Sequence, residues 1–392
     1  MSHVESSGLV AVAKKIALEV AGKYADAVDA EARFPHEAIA ALKQAGLLSC
    51  YVPKEFGGAG ASLRDLVGIA EVLGQYCAST AMIFSMHQIQ VITIVQHALD
   101  SAWYRAYLRR LVEGQFLIAS ITSEVGVGGE MRKSICAVEL EEGATRFTLT
   151  KDATTISYGA QADDMLVTAR RSGAAPGSDQ VLVLVHKADY TLQQKGEWDT
   201  MGMRGTCSPP FLMQATGSVE QIMTQPFAEM SGQTVVPVSH FLWGGMWLSG
   251  ASAAVNKARA FVRAQARARP GTVPPTALRL AELVCQLQTL RTSVQACLAE
   301  YELLSAPNAA DADQLSTVGY AVKMNNLKVA VAAALPELVT KSLLICGIMG
   351  YKNNSPYSMN RHLRDAHAAG LMVGNDRILA TNANLLLILK DD

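Results

Sequence analysis

Two adjacent hydroxyls, Thr122 and Ser123, precede Gly126 and Gly128. Such a segment either starts an ordinary turn or supplies the fixed hydroxyl and N–H donors that a ring gaining negative charge requires. Ser157 closes a second short segment, Thr155-Ile156-Ser157. Two side chains could take a proton. His240 titrates near neutrality, although a lone histidine beside Phe241 and Leu242 is more commonly packed. Asp376 is a carboxylate, but Asn375 and Asp376 are also good caps for a helix beginning Arg377-Ile378-Leu379. Arg267 and Arg269 could meet a phosphate or complement a helix dipole. His362 and His367 are five apart and do not share a helical face as i, i+4 ligands do, so no metal site is predicted.

These residues sit in a chain of 392, half of it apolar, with a net charge of -1. At roughly 100–200 residues per domain, the length predicts two or three domains with ample core. Charge this close to zero gives no field for polyanions, which argues against nucleic-acid binding by a basic surface. The seven cysteines are scattered without a Cys-x-x-Cys pair, against both a disulfide framework and structural zinc. A reducing, cytoplasmic location is expected. Residues 1–24 mix acidic and basic residues amphipathically, unlike a signal peptide. The apolar stretches near residues 329–335 and 343–349 are interrupted by Pro336, Glu337 and Lys341, short of the ~18 residues of a membrane helix.

The first third has helical periodicity. Pro35 suits a first helical position, Gly46 a helix end, and Ser62 with Asp65 a capping box. From about Ala119 short alternating runs dominate, among them 134–140, 146–150, 165–170, 181–185 and 211–215, and predict a mostly antiparallel β segment. Helical periodicity returns near Ser239 and continues almost to the end, in stretches that include 315–335 and 337–346. The expected domains are 1–118, 119–236 and 237–392.

That order, with its local motifs, resembles the acyl-CoA dehydrogenase superfamily. Val52-Pro53-Lys54-Glu55-Phe56-Gly57-Gly58-Ala59-Gly60 is similar to the family's VPxEFGGxG loop. The segment from Thr122 to Glu130 resembles TEPxAGSD, and Met201 to Thr206 resembles LGxRGS. Met349-Gly350-Tyr351 and Arg364-Asp365-Ala366 resemble the C-terminal GGxGF and RDA pair. The resemblance implies an α+β multidomain fold: a helical N-terminal domain, a middle β-barrel and a C-terminal four-helix bundle. It also implies FAD, with FMN as an alternative, between the barrel and the bundle, and a homodimer or homotetramer.

By the same resemblance, Thr122, Ser123 and Gly128 contact the flavin from one turn, and Thr155, Ile156 and Ser157 from another. Gly347, Asn375 and Arg377 do so from the C-terminal part. Thr155 replaces the family's tryptophan beside the ring. Where the family pattern R-D-A-x5-Y-E-G-T carries its catalytic glutamate, this chain has Val373, and the position that bears the carboxylate in some relatives falls on Trp243. A valine cannot take a proton. General acid–base help is worth about 10²- to 10⁴-fold, so the base is left unassigned, with Asp376 and His240 as candidates. The expected activity is oxidation of an acyl thioester, carried on CoA or a carrier protein. The alternatives are a flavin-dependent monooxygenase, which needs no such base, and a flavin-free homologue.

Overall fold

The computed structural model describes residues 8–306 and 308–389. Residues 1–7, the start of the amphipathic N-terminal segment, lie outside the described residues. Helices α1 (Gly8–Ile16) and α2 (Gly22–Ala30) are joined through a π-helical turn, Ala17–Ala21. In α3 (His36–Gln44) the expected end holds: Gly46 has φ +69°, and Gly46 and Leu47 donate N–H bonds to Lys43 and Leu42, both at 3.0 Å. This is the glycine closure that satisfies the last carbonyls of a helix. Pro35 stands one residue earlier than expected, as the N-cap. The Ser62–Asp65 capping box starts α4 (Leu63–Gly74), followed by α5 (Ala78–His97) and α6 (Ala102–Gly114).

The middle segment forms two three-stranded sheets. Strands β1 (Ile118–Ile121), β3 (Asp164–Arg170) and β4 (Gln180–His186) make one, with β1 and β3 parallel. Strands β2 (Arg146–Ala153), β6 (Phe211–Ser218) and β5 (Tyr190–Gln194) make the other, wholly antiparallel. β2 alternates exposed and buried residues, as a sheet with one wet face does, whereas β3 is buried on both faces almost throughout. The strand expected at 134–140 is absent and only isolated bridges at Ala137 and Glu139 remain. The cause is a side chain well upstream: the Glu124 carboxylate accepts the N–H groups of Ile135 and Cys136 at 3.1 and 2.5 Å, so those donors do not enter a ladder.

After the short α7 (Phe227–Met230), the bundle comprises α8 (Val236–Ala268), α9 (Thr276–Leu304), α10 (Val318–Cys346) and α14 (Asn375–Leu386). Three short helices separate the last two: α11 (Ile348–Tyr351), α12 (Asn360–Ala366) and α13 (Ala368–Leu371). Pro336 does not break α10 as expected. A proline inside a helix costs about 3 kcal/mol, but Leu335, Leu338 and Val339 around it are buried. At roughly 1.5–3 kcal/mol each, their packing outweighs the lost bond. By length and composition α5 and the unbroken α10 could each cross a bilayer, contrary to the reading of interrupted stretches. Here α5 is almost wholly buried and α10 about half buried. One hydrophobic core runs through all three parts, from Leu66 and Phe84 through Phe147 and Met213 to Trp247 and Val331.

Candidate functional site at the seam between sheets and bundle

Thr122 and Ser123 follow directly on the end of β1. The turn they enter has Gly126, Gly128 and Gly129 at φ +91°, +60° and +75°, the region glycine adopts without strain. The N–H groups of residues 126–129 make no hydrogen bond within the described protein, so the turn presents free donors. Ser123 is committed elsewhere: its Oγ donates to the Thr155 carbonyl at 2.7 Å and accepts the Thr155 N–H at 3.2 Å. It splices the two expected flavin-binding turns together. Behind them Glu124 is buried against Lys151, Nζ to Oε2 3.2 Å. Burial would raise its carboxyl, but Lys151, the Ser134 hydroxyl and the amides of residues 135 and 136 hold it below the usual range.

The second turn is fixed from its other side. Ile156 is buried, and Tyr158, at φ +44°, donates its N–H to the Thr206 carbonyl at 2.8 Å. Ser157 is half-buried and its Oγ accepts from Ser208 Oγ at 3.0 Å. Ser208 lies 2.9 Å from Thr206 Oγ1, which reaches the Met203 carbonyl at 2.9 Å. With one lone pair of Ser157 occupied, its own O–H is free to donate outward.

The bundle supplies the opposite wall. Arg377, in the first turn of α14, donates to the carbonyls of Gly128 and Gly129 and ties that helix to the glycine turn. A Cβ at Gly129 would collide with this guanidinium. Gly347 ends α10 at φ +55° and ψ −137° and is exposed there, touching none of the other expected site residues. Val373 is 38% exposed and holds φ +47°, a left-handed conformation that is a genuine outlier for a β-branched residue. Its carbonyl accepts from the buried Lys328 at 3.0 Å, and the same ammonium reaches Asn375 Oδ1 at 2.7 Å and the Ala369 carbonyl at 3.2 Å. Asn375 is thus part of a latch on the loop. Gly374, not Asn375 or Asp376, is the N-cap of α14, because the Asn375 side chain is held by Lys328; Asp376 lies exposed in the first turn.

His240 is 3% exposed and pairs its Nδ1 with the Met324 carbonyl at 3.0 Å. Burial pushes its pKa down to about 4. Of the two candidate bases, His240 is thus enclosed and weakly basic, whereas Asp376 faces solvent.

The RDA segment joins all three parts. Arg364 pairs both terminal nitrogens with the Asp29 carboxylate of α2 and donates to the Met201 carbonyl at 2.8 Å. Asp365 is half-buried and accepts the Met203 N–H at 2.7 Å. Gly202 leaves no room for a Cβ against the Arg364 backbone, which explains the glycine of this loop. Arg267 and Arg269 are exposed at the end of α8.

Sequence reasoning missed Lys328, Ser208 and the Trp243 indole nitrogen, which is buried without a partner among the described residues. Lys328 had a signal: it is the one charged residue between Lys323 and Glu337. A 570 Å³ cavity bordered by Tyr51, Ile92, Val238 and Tyr301 is lined by none of the expected flavin-site residues. Among the described residues no three His, Cys, Asp or Glu side chains gather as metal ligands do.

The N-terminal domain of acyl-CoA dehydrogenases matches residues 5–115, and their C-terminal domain residues 234–384. The chain belongs to the acyl-CoA dehydrogenase family, a family of flavin oxidoreductases. Acryloyl-CoA reductase (NADH) of Anaerotignum propionicum is 28% identical over 37% of this chain; the match spans only 36% of that relative's length. FMN-bound TdsC of Paenibacillus sp. A11-2, a dibenzothiophene monooxygenase, superposes with a TM-score of 0.83 at 17% identity over 98% of both chains. Butyryl-CoA dehydrogenase of Megasphaera elsdenii superposes at 0.81, with 19% identity over 99% of both chains.

Proposed function

We propose that this protein is a flavin-dependent monooxygenase built on the acyl-CoA dehydrogenase fold. One observation carries the reading: the loop that should offer a carboxylate presents the Val373 hydrocarbon, locked by Lys328, while His240 and Asp376 do not replace it. Without an adjacent base, a reaction that begins by removing a Cα proton forgoes about 10²- to 10⁴-fold. Oxygen transfer to a substrate has no such requirement.

The residues present suit a flavin. The free N–H groups of residues 126–129 and the outward O–H of Ser157 are the donor types that its ring needs. A reduced flavin at this seam would supply two electrons to dioxygen, one oxygen atom going to substrate and the other leaving as water. The electrons come from a separate reductase. The protein's part is to hold Ser157 Oγ–H fixed through Ser208, to keep water from the Val373 side, and to lock the glycine turn to α14 through Arg377. Both FMN and FAD fit this donor set. TdsC, the FMN-bound neighbour, is itself a monooxygenase.

Oxidation of an acyl thioester is the second reading, favoured by the retained Thr122–Ser123 and Ser157 turns and by relatives that act on CoA esters. The test is two-armed. Reduced, flavin-loaded protein mixed with ¹⁸O₂ and a panel of aromatic, sulfur and amine substrates should place ¹⁸O in a product. Anaerobic bleaching of the flavin by CoA or carrier-protein thioesters, with no oxygen incorporation, would overturn the monooxygenase reading. A colourless protein that takes up neither FMN nor FAD would overturn both.

We also propose a homodimer or homotetramer in a reducing cytoplasmic setting. Leu344, Ile348, Tyr351, Leu371 and Leu387 are each more than 60% exposed on the C-terminal part, an apolar surface that a second copy would cover. The cysteines are unpaired. Light scattering on the purified protein tests the assembly.

A further inference from the structure

One stripe of α8, formed by His240, Trp243 and Trp247, faces α10. His240 bonds to the Met324 carbonyl, and Lys328 Nζ lies 5.6 Å from the Trp247 ring centre. Trp243 sits between them, its ring centre 6.4 Å from that of His240 and 6.1 Å from that of Trp247. Two features of this cluster lack compensation. Trp243 is 93% buried and its Nε1–H has no acceptor among the described residues. Lys328 is buried, yet its three acceptors are all neutral, and among the described residues no carboxylate comes within ion-pair distance. Buried donors are ordinarily bonded and buried charges paired. An orphaned donor one ring removed from an unbalanced cation that holds the Val373 loop of the candidate site points to a ligand that supplies both an acceptor and a negative charge.

We propose that the substrate carries a carboxylate-type anionic oxygen that accepts from Trp243 Nε1–H in the field of Lys328. This rests on the reading of the seam as the active site and adds the substrate class. His240 does not compete for the role: its Nδ1–H is committed to Met324, and burial keeps the ring neutral near pH 7. Lys328 supplies charge without a direct bond, its N–H groups being occupied by the loop.

Calorimetric titration of the flavin-loaded protein with butyrate and with its neutral isostere butyramide tests the proposal, with the visible spectrum of the flavin followed in parallel. Butyrate should bind at least about tenfold more tightly than butyramide and perturb the flavin spectrum. Trp243→Phe, which keeps an aromatic ring and removes the donor, should weaken butyrate about tenfold or more, the scale of one hydrogen bond to a charged group. Its flavin affinity should stay unchanged. Lys328→Met should abolish the preference for butyrate over butyramide, and it serves alone if the tryptophan variant fails to fold. Equal affinities for the two probes, or butyrate binding that Trp243→Phe leaves intact, would overturn the proposal. Weakened flavin binding in that variant would also overturn it, by assigning the donor to the cofactor. A protein that takes up no flavin would refute the proposed function, while titration of that flavin-free protein would still decide the anion site by the same criteria.

Discussion

Replacing Asp365 by asparagine should stabilise the protein, and the gain should grow with pH. Burial raises this carboxyl from its ordinary 3.8 to about 6, against the opposing pull of the Met203 amide and of Arg361. A group whose folded pKa is raised contributes stability that is fully present below its unfolded pKa and lost as pH rises through the folded value. Wild type therefore forfeits stability between about pH 4 and pH 7. The difference between 3.8 and about 6, at 1.36 kcal/mol per pH unit, comes to about 3 kcal/mol. The asparagine side chain keeps an oxygen to accept the Met203 N–H, which now bonds Asp365 at 2.7 Å. Any cost of its extra N–H groups is independent of pH and shifts the curve without tilting it. Urea midpoints of both proteins at half-unit steps from about pH 4.5 to 8 supply the comparison. The variant's advantage should widen through about pH 6 and level off by about pH 7.5. A flat difference would show that Asp365 titrates normally, and an advantage that shrinks with pH would show that the arginines dominate; either result refutes the account of a carboxylate held at the domain junction against its burial.

Three further outcomes follow from the same geometry. Lys151→Met strands the Glu124 carboxylate in the interior beside β2 and β3 and should cost about 3–5 kcal/mol in urea unfolding; a loss under 1 kcal/mol would mean that the amides and Ser134 suffice. Gly128→Ala meets only backbone strain, nothing lying within 4 Å of its Cβ, whereas Gly129→Ala also strikes Arg377. Because the guanidinium ends a flexible side chain and can shift, thermal melts should rank the second only slightly worse, by the two bonds Arg377 gives up, and equal melts would count against the Arg377 clamp. Ser208→Ala should leave flavin uptake intact but free the Ser157 hydroxyl to rotate, slowing flavin turnover about tenfold, or ~1.4 kcal/mol, with a changed reduction potential; Ser208→Thr should restore both, and an unaltered potential in the alanine variant would remove Ser208 from the positioning role.

The sequence was most legible where one residue type solves a local problem. Gly46 closes α3 because the chain turns left-handed there, and Ser62 with Asp65 opens α4 through bonds between residues three apart. The helical, β, helical order could be read from periodicity, because each segment buries one regular stripe or face. Local rules failed where distant groups intervened. Pro336 should end a helix, but buried neighbours carry α10 through it. Residues 134–140 read as a strand, yet a carboxylate at position 124 captured their amides. Asn375 looked like a cap, and a lysine 47 residues away took its side chain.

The site divides along the same line. Glycine turns can be recognised by their residues, whereas the polar connections that aim them are long-range: Ser157 to Ser208 spans 51 residues and Asp29 to Arg364 spans 335. The resemblance places a single valine, Val373, where the family carries its base. The consequence needed coordinates, because a missing carboxylate matters only if no other group has moved in. Lys328 has moved in instead, and it fixes the loop backbone in a strained turn without offering a proton acceptor. Strain held at such a position by a buried cation marks a loop whose shape the surrounding structure over-determines. On the proposed monooxygenase reading, Val373 would shield the reacting centre rather than deprotonate it.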